Sequence, residues 1–263
     1  MKFRKFTLKH ITLISLLPAL AVWGVLTALT ASDPANAGYT GLASVLVLFA
    51  TSFALRKYHS SYMKKAERSL YDDCDPYPTI EELNLYLECA GRRVNKTGLR
   101  ITLAMMLALT GDYDTAEKTL TSFNVGEGSP FSEIAKAGIL YDLAALYCAM
   151  SLPEHAIDCY ERSKEHFAAS PESVGGKMRY NGTTDAEIEC YKGNTGKALD
   201  ILDSIDADNR FREVMKTFAL AKVHYIAGAR EEAISEFDWV AANGGLLACA
   251  KESEQIAAAA RAV

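Results

Sequence analysis

Two uncharged stretches near the N-terminus constrain this chain more than any other feature. Residues 11–31 (ITLISLLPALAVWGVLTALTA) carry no charged side chain. After the break Ser32-Asp33-Pro34-Ala35-Asn36-Ala37-Gly38, a second uncharged stretch, residues 39–55, contains GLASVLVLFATSFAL. As a helix the first stretch would be about 31 Å long, against about 30 Å for the hydrocarbon of a bilayer. Pro18 lies inside it and is tolerated in a membrane helix. Two such runs joined by a short break predict a transmembrane hairpin. Lys2, Arg4, Lys5 and Lys9 precede the first run, Arg56, Lys57, Lys64, Lys65 and Arg68 follow the second, and Asp33 is the charged residue between them. Positive charge at both outer ends predicts a multi-pass cell-membrane protein with its N-terminus and everything after residue 56 in the cytoplasm. Ala35-Asn36-Ala37 has the small-x-small form of a signal-peptidase site. The first run, however, exceeds the roughly 7–15 apolar residues of a signal peptide, and a second run follows at once.

Beyond the hairpin the character of the chain changes. Residues 57–263 carry 32 acidic against 23 basic side chains, which argues against nucleic acid, whose phosphates require a Lys/Arg surface. Cys74, Cys89, Cys148, Cys159, Cys190 and Cys249 are scattered singly with no CxxC pair. That pattern reads as reduced, mostly buried thiols rather than a disulfide framework. Residues 57–75 read as a juxtamembrane helix and linker, ended by the breaker Asp75-Pro76-Tyr77-Pro78. Thr79 with Glu82 three residues on has the form of a capping box for a helix over 80–93. The soluble domain is expected to span residues 76–263.

Within that domain one pattern occurs four times: GDYDTAEKTL from Gly111, SLPEHAIDCY from Ser151, GNTGKALDIL from Gly193 and GAREEAISEF from Gly228. Each has a turn residue, an alanine five positions later (Ala116, Ala156, Ala198, Ala233), and a large residue four further on (Leu120, Tyr160, Leu202, Phe237). Twelve residues before each of those alanines stands another: Ala104, Ala144, Ala186 and Ala221. Antiparallel helices approach closely only where facing side chains are small, so these eight alanines are expected to pack the helices of each pair together. One pair cannot bury its apolar face alone, so the pairs are expected to stack. The third copy departs from the others, with Asp185 where they carry leucine and Glu189 where they carry Leu107, Tyr147 and His224, which predicts a shifted, irregular or partly exposed pair. Asn243-Gly244-Gly245 reads as a left-handed stop for the last repeat helix, followed by an Ala-rich terminal helix.

The turn, the alanine register and the helix pairs resemble the tetratricopeptide repeat family over residues 97–243. The spacings of 40, 42 and 35 residues between the second alanines depart from the family's usual period, which implies longer connections. The fold expected is all-α, a two-helix transmembrane hairpin followed by a tetratricopeptide-like solenoid. The resemblance implies a concave groove lined by the first helix of each pair, with Ile101, Met105, Tyr141, Ala145, Tyr180, Phe218, Lys222 and Tyr225 as partner-groove candidates. It further implies a protein or peptide partner. The paired Lys and Asn with which some members clamp a C-terminal carboxylate are not found.

No Walker loop, GxGxxG, HExxH or GxSxG stands in the chain. His155 and Cys159 share a helix face without a second ligand pair, so no metal, cofactor, catalytic residue or small-molecule substrate is expected. The reading is a membrane-tethered protein-interaction scaffold. Its alternative is a structural subunit that assembles through the hairpin.

Overall fold

Every regular element in the computed structural model is an α-helix; among the described residues there is no strand. The structure describes residues 2–29, 37–89, 96–126, 128–170 and 182–262. The break at 30–36, Tyr180 and most of the loop after Ser170 therefore lie outside the described residues. The helices are α1 (Lys2–Lys9), α2 (Ile11–Leu29), α3 (Ala37–Asp73), α4 (Tyr77–Cys89), α5 (Thr97–Leu109), α6 (Tyr113–Thr121), α7 (Glu133–Ala149), α8 (Pro153–Ala168), α9 (Gly182–Tyr191), α10 (Thr195–Asp203), α11 (Arg210–Ala227), α12 (Arg230–Asn243) and α13 (Ala248–Ala262). They form two compact units: Met1–Ala66 with Glu81–Lys96, and Glu67–Ile80 with Thr97–Val263.

These limits differ from the boundaries expected at 56 and 76. Nothing breaks the helix after Leu55, so α3 continues to Asp73. The residues of α4 from Glu81 onward join the N-terminal unit, because Glu82 and Glu88 pair with Arg4 and Lys5. The capping box is also replaced. The helix begins at Tyr77, whose N–H donates to Asp75 Oδ1 (3.0 Å), and Thr79 lies inside it with a buried hydroxyl that has no hydrogen-bond partner.

In the N-terminal unit the usual distribution of side chains is reversed. Leu13, Leu16, Leu17, Leu20, Trp23 and Val25 of α2 are exposed, as are Leu42, Val45, Leu46, Phe49 and Phe53 of α3. The buried residues of α1, of α2 and of α3 up to Ala66 are small or polar, namely Thr7, Ser15, Ala19, His59 and Ala66, whereas α4 buries Leu83. Thr51 donates its hydroxyl to the Ser15 carbonyl across the two helices (3.2 Å). Apolar grooves of about 370 and 390 Å³ open between α2 and α3, both lined by Leu16 and Leu48. Among the described residues no single helix is long and apolar enough to cross a membrane; the pair Phe3–Lys9 and Leu13–Thr27, bent by 73°, passes that test together.

The repeat unit is built in the opposite sense. The four expected turns are four copies of one left-handed helix stop. Gly111, Ser151, Gly193 and Gly228 have φ of +87°, +56°, +84° and +81°. After each, the next residue's N–H reaches back five positions: Asp112 to Leu107, Leu152 to Tyr147, Asn194 to Glu189 and Ala229 to His224, all at 2.9–3.0 Å. That bond satisfies a carbonyl that the helix end would leave orphaned. Below each turn the helices meet on alanine. Ala104, Ala116, Ala144, Ala156, Ala186, Ala198, Ala221 and Ala233 are all fully buried, and Leu120, Tyr160, Leu202 and Phe237 are buried one turn further on.

Packing then propagates along the array. Helix α5 packs on α6, α7 on α8, α9 on α10 and α11 on α12; α5, α7, α9 and α11 also touch in succession. The last stop lies within Asn243-Gly244-Gly245. Gly244 has φ −76° and Gly245 takes the left-handed conformation at +56°. Gly245 is also required by crowding, since a Cβ there would lie 2.6 Å from the Asp73 carbonyl oxygen. The next residue, Leu246, donates its N–H to the Cys74 carbonyl (3.1 Å). This pins the end of α3 to the start of the terminal segment, and Leu70 and Cys74 enter one core with Phe218, Phe237, Val240 and Leu247.

Candidate functional site

The seven groove candidates among the described residues do not form one open surface. Ile101 and Met105 pack, half-buried, against the first core. Tyr141 is buried with its ring 6.2 Å from that of Tyr160, and Ala145 is half-buried. Phe218 is buried against Phe237, with ring centroids 6.1 Å apart. Tyr225 is 52% exposed, with one ring edge toward Phe237 at 6.3 Å. Tyr180 is outside the described residues. The first helix of each pair faces its partner, the next pair and, at the end of the array, the terminal helix. A face that is free in a single repeat is thus covered in the stack.

The terminal helix does much of this covering. Helix α13 packs along α12 and also reaches α5 at the other end of the array. Ala248 at its start lies 3.4 Å from where a Gly111 Cβ would stand. Cys249 and Ile256 enter the core that contains Phe218.

Lys222 has the most polar contacts of the seven described candidates. Its ammonium is buried, pairs with the Glu187 carboxylate and donates to the Cys148 carbonyl (2.8 Å). Burial opposes the charged ammonium, but Glu187 and the nearby Tyr191 hydroxyl outweigh it and hold the pKa above the ordinary lysine value. Burial in turn raises the Tyr191 phenol to about 12 and pushes the Glu252 carboxyl of α13 upward. Glu187 was not among the sequence candidates, although a signal for it existed. Lys222 follows Ala221, and Glu187 follows Ala186. Opposite charges thus occupy the same register position in successive repeats, where Met105 and Ala145 stand in the first two.

The irregular third repeat is satisfied through polar bonds rather than exposed. Asp185 accepts from the Tyr160 hydroxyl (2.5 Å). Glu189 is buried and accepts from Asn194 (2.9 Å) and Lys197 (3.1 Å). Asp142, half-buried on α7, has neither a hydrogen bond nor an ion pair among the described residues, and burial raises its pKa to about 7. His224 lies 2.9 Å from Glu236 through Nδ1.

Burial pushes the thiol pKa of all six cysteines upward, so each is held protonated and weakly nucleophilic. His155 is exposed and lies against the Tyr147 ring at 5.4 Å, while Cys159 is buried. Among the described residues no three His, Cys, Asp or Glu side chains converge as a metal site.

In the N-terminal unit the polar contacts gather near α1. The Arg4 guanidinium pairs with Glu82 and lies 3.6 Å over the Tyr62 ring. Thr7 meets His59 Nε2 at 3.2 Å. Burial, then the Arg4 charge, lowers the His59 pKa, which favours the neutral ring.

No protein-family model, curated protein or solved structure matches the chain.

Proposed function

We propose that this protein is a membrane-tethered, tetratricopeptide-like scaffold whose N-terminal hairpin inserts in the bilayer and whose repeat unit binds another protein on the cytoplasmic side. The observation that carries the anchor is the reversed distribution of side chains on α2 and α3. Leucine, phenylalanine and tryptophan point outward while Ser15 and Ala19 lie inside. Small residues between helices and large apolar residues outside are what a lipid solvent favours. A contiguous apolar surface of that kind is rare on a protein in water.

The scaffold reading rests on the fourfold stop and the eight buried alanines, which repeat one supersecondary unit. Tethering raises the effective concentration of such a unit for membrane partners. The alternative, assembly through the hairpin, is favoured by the open apolar grooves between α2 and α3, which a neighbouring membrane helix would fill.

Two measurements test this. Alkaline carbonate extraction should leave the protein in the membrane pellet; release into the supernatant would remove the anchor. A photo-crosslinking residue placed at Tyr225 and, separately, at Leu46 in intact cells distinguishes the two assembly modes. Partner capture at Tyr225 supports the scaffold, and capture confined to Leu46 supports the structural subunit.

A further inference from the structure

Helix α1 has two sets of side chains with different fates. Arg4 and Thr7, three residues apart, face the protein: Arg4 pairs with Glu82 and stacks on Tyr62, and Thr7 is buried against His59. Lys5 adds a second tie, pairing with Glu88 while Cys89 Sγ donates to the Lys5 carbonyl (3.6 Å). Phe3 and Phe6, also three residues apart, are 70% and 55% exposed. Two exposed phenylalanines on an otherwise anchored two-turn helix are costly in water, at about 25 cal/mol for each Å² of apolar surface.

The direction of the helix suggests what covers them. The axis over Phe3–Lys9 is bent by 73° from that over Leu13–Thr27. If α2 runs across a bilayer, a segment bent that far from it lies close to the membrane plane. Phe3 and Phe6 would continue the exposed apolar surface of Leu13, Leu16 and Leu17, and the exposed Lys9 would sit beside them at headgroup level. An apolar face flanked by cations is the pattern of an interfacial helix.

We propose that α1 is an interfacial foot. It lies along the cytoplasmic surface of the bilayer with Phe3 and Phe6 in the boundary between headgroups and acyl chains, while it grips α4 through Arg4–Glu82 and Lys5–Glu88. The occupant of the phenylalanine face is lipid. This deepens the membrane reading above and rests on it.

Depth-dependent fluorescence quenching tests the foot and the anchor separately. The full chain with Trp23→Phe and Trp239→Phe receives one tryptophan at Phe3, Phe6 or Leu20. It is then reconstituted in phosphatidylcholine–phosphatidylglycerol vesicles whose acyl chains carry bromine at a shallow or a deep position. Tryptophan at Phe3 and Phe6 should lose more intensity to the shallow bromine, and tryptophan at Leu20 more to the deep one. If Leu20→Trp is quenched but Phe3→Trp and Phe6→Trp are not, the foot is overturned and the anchor stands. A blue-shifted but unquenched emission at Phe3 would assign that face to protein, including a second copy, and also overturns it. Quenching of Phe3→Trp as deep as that of Leu20→Trp overturns the foot because α1 would then enter the hydrocarbon. No quenching at Leu20 removes the membrane reading and the foot with it.

Discussion

The apolar stretches of α2 and α3 and the helices of the repeat unit place their large apolar residues oppositely. On α2 and α3 the interior holds Ser15 and Ala19, with leucine, phenylalanine and tryptophan outside; in the repeats Phe237, Leu120 and Leu202 are inside and most charges are outside. Alanine serves close helix approach in the repeats, and Thr51 bonds to the Ser15 carbonyl across α2 and α3. The difference lies in what the remaining surface is made for. Burying a large apolar side chain stabilises a fold only when the alternative is water. In lipid that gain vanishes, and close contact between small residues is left to hold helices together.

The sharpest way to break this contrast is to remove one large apolar residue from each unit. Phe237→Ala should cost about 3–5 kcal/mol in urea unfolding of the repeat unit. Phe53, 69% exposed, should cost under about 0.5 kcal/mol when changed to alanine in detergent. Equal losses would defeat the comparison.

The repeat interior also holds a charge pair, and the same medium argument applies to it. Lys222→Met leaves the Glu187 carboxylate buried without its cation and should cost about 3–5 kcal/mol. Lys222→Met with Glu187→Met should recover most of that loss, because both desolvated charges are then gone. If the double variant is no more stable than the single one, the pair is not what makes the single variant fail.

Backbone effects come next. Gly245→Ala would place a Cβ 2.6 Å from the Asp73 carbonyl oxygen at φ +56°, and should cost about 1–3 kcal/mol by thermal unfolding.

Asp142 gives a smaller effect that depends on pH. Its folded-state pKa of about 7 lies above the unfolded value, so the folded state holds the proton more tightly. Its contribution is therefore most favourable in acid, falls as pH rises from about 4 to 7, and stays low above that. Asp142→Asn should remove this decline and stabilise the protein by about 1–2 kcal/mol at pH 8. A wild-type minus variant difference that is flat across that range would refute the assignment.

The smallest effect is at the odd turn. Ser151 takes the conformation that glycine holds at the three equivalent positions, so Ser151→Gly should raise stability by about 0.5–1 kcal/mol, read as an upward shift in Tm.

Much of this molecule can be read locally. Left-handed stops follow from glycine, and from a serine standing in its register, because the missing or strained Cβ is a property of one residue. The alanine register follows from helical periodicity, and all eight alanines are buried where that register puts them. The reversed apolar surface of α2 and α3 was visible as two uncharged runs. What the sequence by itself determined, then, is helix, stop and the closest lines of contact.

The faces that remain open were decided by the tertiary structure. Tyr141, Phe218 and Lys222 sit on one side of a helix in any periodic plot, but a stacked helix has neighbours on several sides, and α13 returns from the far end of the array to α5. Glu187 became meaningful only once α9 lay beside α11, because the electrostatic value of a carboxylate depends on the cation and the water around it. Asp185 and Glu189, which a repeat pattern reads as defects, are satisfied by Tyr160, Asn194 and Lys197. The physical reason is the same throughout. Backbone preference and periodicity act within a few residues, whereas burial and charge pairing are set by whichever distant segment arrives.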